Sequence, residues 1–420
     1  MINIKDHYKW IIFIITSLLY NLVYFHRVST NAIADELIRD LKINATELGT
    51  MSSTYFLCYA LLQPFIGILA DKFGSKKVIL ASLSISVIGC VCFSFSSNFF
   101  TAFISRSLIG IGVAGVLVPS LKLYAQWFAP EQFARVSGLF LGLGHLGALI
   151  ATTPLAYLAY ILGWRDVFIV FALIGFIMLL ITLFFLHNRN TKYNENIENN
   201  NANSKISTID TIKYLFKKRN FWLLAFIFFA TFGAYVSFQG LWSTKYLICL
   251  KDLTATTANN LILFIPLGVT IGAFASGFVS DNIFRSRKKP LTIGLIITLI
   301  CWVIITFWIQ HLSDLLLIFI FFIMGLAGGQ LLPMIFIIIK DDIPERIVGT
   351  SLGLINPAYF LGIFFYQIIT GIILDINKVN GFYTEHSYLV MMIFCLATIF
   401  ITTITSIFIK ETFPEKIIES

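Results

Sequence analysis

The residues able to do chemistry in this chain are few, and those of interest lie inside long apolar runs. Arg27 stands in Tyr24-Phe25-His26-Arg27-Val28, and His145 in Gly142-Leu143-Gly144-His145-Leu146-Gly147. An ionisable side chain costs about 2.5–3.5 kcal/mol at the centre of a helix in a bilayer, so each one needs a reason to be there. Arg27 lies five residues, about 7.5 Å, outward of the middle of its run. That is too deep for comfortable contact with lipid. Snorkelling to the interface or pairing with another helix are the bland readings; the chemical one is capture of a negative group. His26 points about 100° away on the same helix, which is a structural position. His145 is the central group able to change charge between about pH 5 and 8, as a proton carrier must, although its glycine neighbours also suit a histidine satisfied across a packed interface. Asp35, at the end of the first run, is the competing proton carrier. Lys122 and Lys245 lie near span ends, where snorkelling competes with a binding role. Tyr24, Tyr235 and Trp242 offer an aromatic wall, but in a chain with 15% aromatic residues most face lipid or packing contacts.

This chemistry is recognition, not catalysis. No Walker lysine loop and no Ser/His/Asp or His/Cys spacing occurs in a water-accessible stretch, so neither ATP-driven transport nor an enzyme is supported. The six cysteines all sit inside apolar runs without CxxC spacing, so no disulfide, metal or other cofactor is expected. The formal net charge of +8 is spread over short loops rather than gathered on one surface, which reads as topology and not as nucleic-acid binding.

The elements that must position these residues are membrane helices. With 58% hydrophobic and 12% charged residues and a mean hydropathy of +0.85, the chain needs lipid as solvent. Apolar runs fall near 10–34, 48–70, 78–97, 99–125, 136–161 and 165–187, then near 221–248, 257–280, 290–310, 313–339, 347–374 and 387–409. Each is long enough to span. The first run continues past Tyr24 without a small-residue cleavage site, so it is a retained helix and not a signal peptide. The division is 1–187 for a first six-helix bundle, 188–219 for an Asn-rich linker with a basic end, 220–410 for a second bundle and 411–420 for a tail. Basic residues collect in alternate loops, which puts both termini and the linker in the cytoplasm of a bacterial inner membrane.

The halves repeat one another. Gly67-Ile68-Leu69-Ala70-Asp71-Lys72-Phe73-Gly74-Ser75-Lys76-Lys77 returns 210 residues later as Gly277-Phe278-Val279-Ser280-Asp281-Asn282 with Arg285, Arg287, Lys288 and Lys289 behind it. Pro119 and Pro130 recur as Pro333 and Pro344. Such a repeat implies two bundles built alike. The spacing G-x-x-x-D-K-x-G-x-K-K resembles the loop between helices 2 and 3 of the major facilitator superfamily, and Arg106-Ser107-Leu108-Ile109-Gly110-Ile111-Gly112 resembles that family's fourth helix. The resemblance covers essentially the whole chain. It implies a twelve-helix, two-bundle, all-α transporter working by alternating access, with Gly67, Asp71, Gly74, Lys76, Arg106, Gly277, Asp281 and Arg285 forming conformational latches.

"YFHRVSTNAI" and "GHLGALIATTPL" further resemble the first and fifth helices of the organophosphate:phosphate antiporters, where a matching Arg and His line an anion site; the first-helix Arg also marks the wider organic-anion symporter branch. The pattern departs from the antiporters at Val28 and Gln63, and the seventh-helix arginine they carry is Gln239 here. One firm positive charge suits a monoanion better than a phosphate dianion. The expectation is a proton-coupled, monomeric carrier of a carboxylate or zwitterion, with Arg27, His145, Tyr24, Lys122, Gln239, Trp242 and Lys245 at the substrate. The alternatives are a proton-driven multidrug exporter, disfavoured because Thr153 precedes Pro154 where exporters carry Gly-Pro, and a sugar-phosphate exchanger. A non-transporting sensor would need a signalling domain or a long tail, and a nitrate porter an arginine in its second helix. The sequence shows neither.

Overall fold

The computed structural model describes residues 4–188, 208–344 and 347–413. Twelve of its helices are long and apolar enough to cross a membrane, and the spans numbered α1 to α12 here are α1 (Tyr8–Ala32), α2 (Ala45–Phe73), α3 (Ser75–Ser94), α4 (Phe99–Trp127), α5 (Val136–Leu162), α6 (Trp164–Phe185), α7 (Arg219–Lys251), α8 (Ala255–Phe284), α9 (Lys288–Phe307), α10 (Asp314–Asp342), α11 (Ser351–Ile376) and α12 (Glu385–Ile407). Every expected run is a span. The boundaries move by a few residues because polar caps, which carry no hydropathy signal, extend the helices. Asn44 and Glu47 show this at the start of α2: Asn44 Oδ1 accepts from Glu47 N (2.8 Å) while Glu47 Oε2 accepts from Asn44 N (2.9 Å), satisfying two donors that a helix N-terminus leaves open. Most of the linker lies outside the described residues, as do Glu345, Arg346 and residues 414–420.

Helix pairing follows the sequence repeat. α1 packs on α5 as α7 packs on α11, α2 on α4 as α8 on α10, and α3 on α6 as α9 on α12. Large apolar side chains such as Phe100, Tyr160, Leu315 and Phe319 remain exposed on the outer surface, where lipid replaces the protein core as their solvent. Between the halves, α2 lies along α11 and α1 along α7, with a lighter contact of α5 with α8. Gly49 makes the first approach possible, since a Cβ there would strike the Gln367 carbonyl of α11.

The duplicated loops hold ion pairs within each half, not between them. Asp71 bonds Lys122 Nζ (2.6 Å), which also donates to the Ala70 carbonyl (2.9 Å), and Gly74 takes φ +85°, a left-handed turn that a side chain would strain. Lys76 is held through its backbone N–H, which donates to Asn188 Oδ1 (3.0 Å). In the second half the partner of Asp281 is Arg287, which also bonds Asp341 (2.8 Å), and Arg285, expected in the latch, is not part of this pair. Arg285 sits at a left-handed turn (φ 44°) closing the π-helical end of α8, so the chain reverses before the next arginine can face the acid. Gly67 and Gly277 leave open or nearly open space beside the loops. Arg106 stands apart from both loops: it is fully buried inside the first bundle and donates from Nη2 to the His26 carbonyl (3.0 Å).

Candidate functional site

The site begins with one face of α1. Tyr20, Tyr24, Arg27 and Val28 follow helical spacing, so all four turn to the same side, and that side lines a cavity of about 300 Å³ between the bundles. α5 fixes them in place. Gly147 lies against the Asn21 carbonyl and Gly144 against the Tyr20 ring, with no room for a Cβ at either, so α1 and α5 touch at backbone distance and His145 is brought to the α1 aromatics. Its Nδ1 is 3.0 Å from the Leu141 carbonyl, and its ring centroid is 4.4 Å from that of Tyr24. The Tyr24 ring therefore stands between His145 and Arg27, whose guanidinium is 4.4 Å from the same centroid.

Arg27 is 5% exposed. Tyr24 and Tyr59 surround it from the first bundle and Phe360, with its centroid 5.5 Å away, from the second; the hydroxyls of Tyr55 and Tyr359 lie close by. Its Nε has no hydrogen-bond partner, and no carboxylate among the described residues forms an ion pair with it. Aromatic faces attract a cation but do not replace the hydration of its N–H groups. The arrangement is a buried positive charge beside a cavity, with Nε left without an acceptor. The opposite wall carries Tyr235, Gln239, Asn356 and Tyr359 among apolar residues. Gln239 is presented by a π-helical turn, Phe238–Trp242, inside α7, the kind of irregularity common at functional sites. Asn356 precedes Pro357, whose missing N–H frees a backbone carbonyl in α11.

Arg27, His145, Tyr24 and Gln239 are thus gathered at one cavity, whereas Lys122, Trp242, Lys245 and Asp35 are not among its lining residues. Lys122 is spent on Asp71 and Ala70 at the loop. Trp242, three residues beyond Gln239, is buried and donates to Thr370 Oγ1 (2.8 Å). Lys245 forms an ion pair with Asp35, which joins α7 to the segment after α1. Tyr20, Tyr59, Tyr359 and Phe360 line the cavity and were not singled out by sequence. In so aromatic a chain the register of Tyr20 with Arg27 and the place of Tyr359 and Phe360 just after Asn356-Pro357 could have set those three apart; Tyr59, on α2, carries no such signal.

The cavity is sealed at the end away from the basic loops. Asp375, in the last turn of α11, accepts from the N–H groups of Ala45 (3.2 Å) and Thr46 (2.7 Å) and from Thr46 Oγ1 (2.5 Å), so a carboxylate of one half caps a helix N-terminus of the other. Asn31 donates to Thr244 (2.8 Å) and Thr153 to Asn260 (2.7 Å). Thr30, Asn31, Asp35, Ala45, Thr46 and Thr153 all bond to the second half at this end; nearer the basic loops α5 and α8 meet through the Phe274 ring on Gly142. Beyond the seal, Asp40 ties the first bundle together through Trp164 Nε1 (2.9 Å) and Arg165 (3.0 Å). Burial pushes its carboxyl up, but bonds from Trp164, Arg39 and Arg165 outweigh burial and hold it below its ordinary 3.8.

Two bundles of six spans, duplicated in sequence, closed at one end and holding a cavity at their interface, define a membrane transporter and not an enzyme. The chain belongs to the Major Facilitator Superfamily, whose family model matches residues 16–367 and 227–417. Its relatives include the probable sulfoacetate transporter SauU of Cupriavidus necator, 23% identical over 378 residues and 85% of each chain, and a hexuronate transporter of Escherichia coli K12, 22% identical over 87% of this chain and 88% of that one. Among solved structures, a variant of the nucleoside transporter NupG superposes with a TM-score of 0.78 at 15% identity, covering 95% of this chain and 99% of that one.

Proposed function

We propose that this protein carries a small organic anion across the bacterial inner membrane by alternating access, with Arg27 holding the carboxylate and protons driving uptake. The observation that carries this reading is the buried Arg27 guanidinium, free of any carboxylate partner and aimed into a cavity at the bundle interface. A carboxylate supplies the opposite charge that the site lacks and an acceptor for the unpartnered Nε. The transport of sulfoacetate and hexuronate by relatives agrees with an anionic cargo. In this conformation the cavity is shut towards the periplasm by Asp375, Asn31 and the Lys245–Asp35 pair. Substrate entry requires these contacts to part while the basic-loop end closes. His145, two ring contacts from Arg27, is placed to add a second positive charge when protonated, raising anion affinity on the acidic side and lowering it on the other. Both termini lie with the basic loops in the cytoplasm, and the chain acts as a monomer.

The decisive experiment is binding by the purified full chain. Arg27→Ala should abolish saturable anion binding, a loss of at least about 100-fold, or about 2.8 kcal/mol. Arg27→Lys should keep charge, lose the bidentate fork and bind about tenfold more weakly. Wild-type affinity in the Ala variant would refute the assignment.

A further inference from the structure

The two walls of the cavity differ in what they offer a bound molecule. Beside Arg27 the first bundle provides the Tyr59 hydroxyl, buried and without a hydrogen-bond partner. The wall from the second bundle is built of Phe232, Val236, Val269, Leu332, Phe336 and Phe360, with no Asp or Glu anywhere in the lining. Its polar groups are few. The Tyr235 hydroxyl is buried and unpartnered, Gln239 and Asn356 face the cavity, the Tyr359 hydroxyl lies beside Arg27, and the Thr270 hydroxyl is spent on the Pro266 carbonyl (2.9 Å).

Resting on the reading of Arg27 as the carboxylate site, we infer that the cargo is a monocarboxylate with a branched aliphatic or aromatic body, bearing no ammonium group and at most one or two further polar atoms, as in the 2-oxo acids of apolar side chains. Three arguments converge on this class. An ammonium on the carbon next to the carboxylate would sit within a few ångströms of the guanidinium, with no acid in the lining to offset the repulsion. A sugar acid would bury four or more hydroxyls, each costing about 1–3 kcal/mol if left unpaired, against a second-bundle wall whose polar side chains are Tyr235, Gln239, Asn356 and Tyr359, the last of them turned to Arg27. An apolar body gains from every methylene placed on the Phe232, Leu332 and Phe336 surface, and one oxo group gives an unpartnered tyrosine hydroxyl its acceptor.

The test uses the purified full chain in detergent and measures binding of α-ketoisocaproate, phenylpyruvate, leucine, phenylalanine and glucuronate by titration of intrinsic fluorescence, repeated with Arg27→Ala. The two oxo acids should bind at least tenfold tighter than their amino acids and than glucuronate, and Arg27→Ala should abolish the difference. Amino acids binding as well as the oxo acids would overturn the exclusion of an ammonium group. Glucuronate binding as tightly would overturn the apolar body, and failure of both oxo acids to bind would overturn the class. In the first two cases the anion reading survives if the preferred ligand still depends on Arg27, and it falls if that ligand binds Arg27→Ala equally well.

Discussion

The two bundles are copies in helix order and packing, yet they meet the cavity with different chemistry. The first supplies Arg27 and His145; the second, at the position 212 residues after Arg27, supplies Gln239 on a π-helical turn, flanked by aromatic and aliphatic side chains. Duplication preserved the pairing of the helices and the prolines at Pro119/Pro333 and Pro130/Pro344, because the packing of each bundle depends on them. The cavity face obeys no such demand. One half became a charge site and the other a neutral wall, and that asymmetry suits a cargo with one charged end and one apolar end.

The largest expected effect comes from moving the charge across. Gln239→Arg combined with Arg27→Gln returns the charge count to its original value but places it on the opposite wall, away from the Tyr24 and Tyr59 rings. Affinity for a monocarboxylate should fall about 100-fold, and retention within threefold would mean that the site reads charge and not its surroundings. Adding Gln239→Arg alone should raise affinity for a dicarboxylate over a monocarboxylate.

The seal between the halves is the next point of leverage. Asp375→Asn removes a charge and an acceptor from the N-terminus of α2, bonds worth about 1.5–3 kcal/mol when charge-assisted. Spin labels on the exposed positions Lys42 and Lys378 should report a population separated at that end, about tenfold enriched over wild type. An unchanged distance distribution would show that Gly49 packing and the Asn31, Thr153 and Lys245–Asp35 contacts hold the seal without Asp375.

His145 tests whether the asymmetry is also energetic. Uptake should strengthen as external pH falls through the range in which His145 gains its proton, since a second cation then faces the anion. His145→Gln should flatten this several-fold pH dependence and spare counterflow exchange. An unaltered profile would leave Asp35, freed from Lys245 in another conformation, as the candidate.

The smallest effect separates the two loops. Asp71 is largely exposed and its pair with Lys122 is screened by water, worth roughly 0–1 kcal/mol; Asp71→Asn should slow turnover two- to threefold with binding unchanged. Arg287, by contrast, holds both Asp281 and Asp341 at 11% side-chain exposure. Arg287→Ala should lower the melting temperature measurably where Asp71→Asn does not, and equal melting would show that the repeated loops are energetically alike.

The twelve spans, their division into halves and the presence of a buried arginine were legible in the chain by itself. Each rests on a local quantity: about 20 apolar residues are needed to cross a bilayer, basic residues mark loops, and an ionised side chain in an apolar run is too costly to be accidental. Arg27, Tyr24, His145 and Gln239 could be read for the same reason, since helical register and a repeat of fixed offset are one-dimensional. What no local quantity carries is the partner of a charge. Lys122, Lys245 and Asp35 stayed candidates at their span ends until folding joined Lys122 to Asp71 and Lys245 to Asp35; Asp281 took Arg287 because a left-handed turn at Arg285 redirected the chain. The cage of Tyr59, Tyr359 and Phe360 around Arg27 comes from helices far apart in sequence. Interactions that fall off within a few ångströms are decided by which helices meet, and that is settled only when the two bundles close on one another.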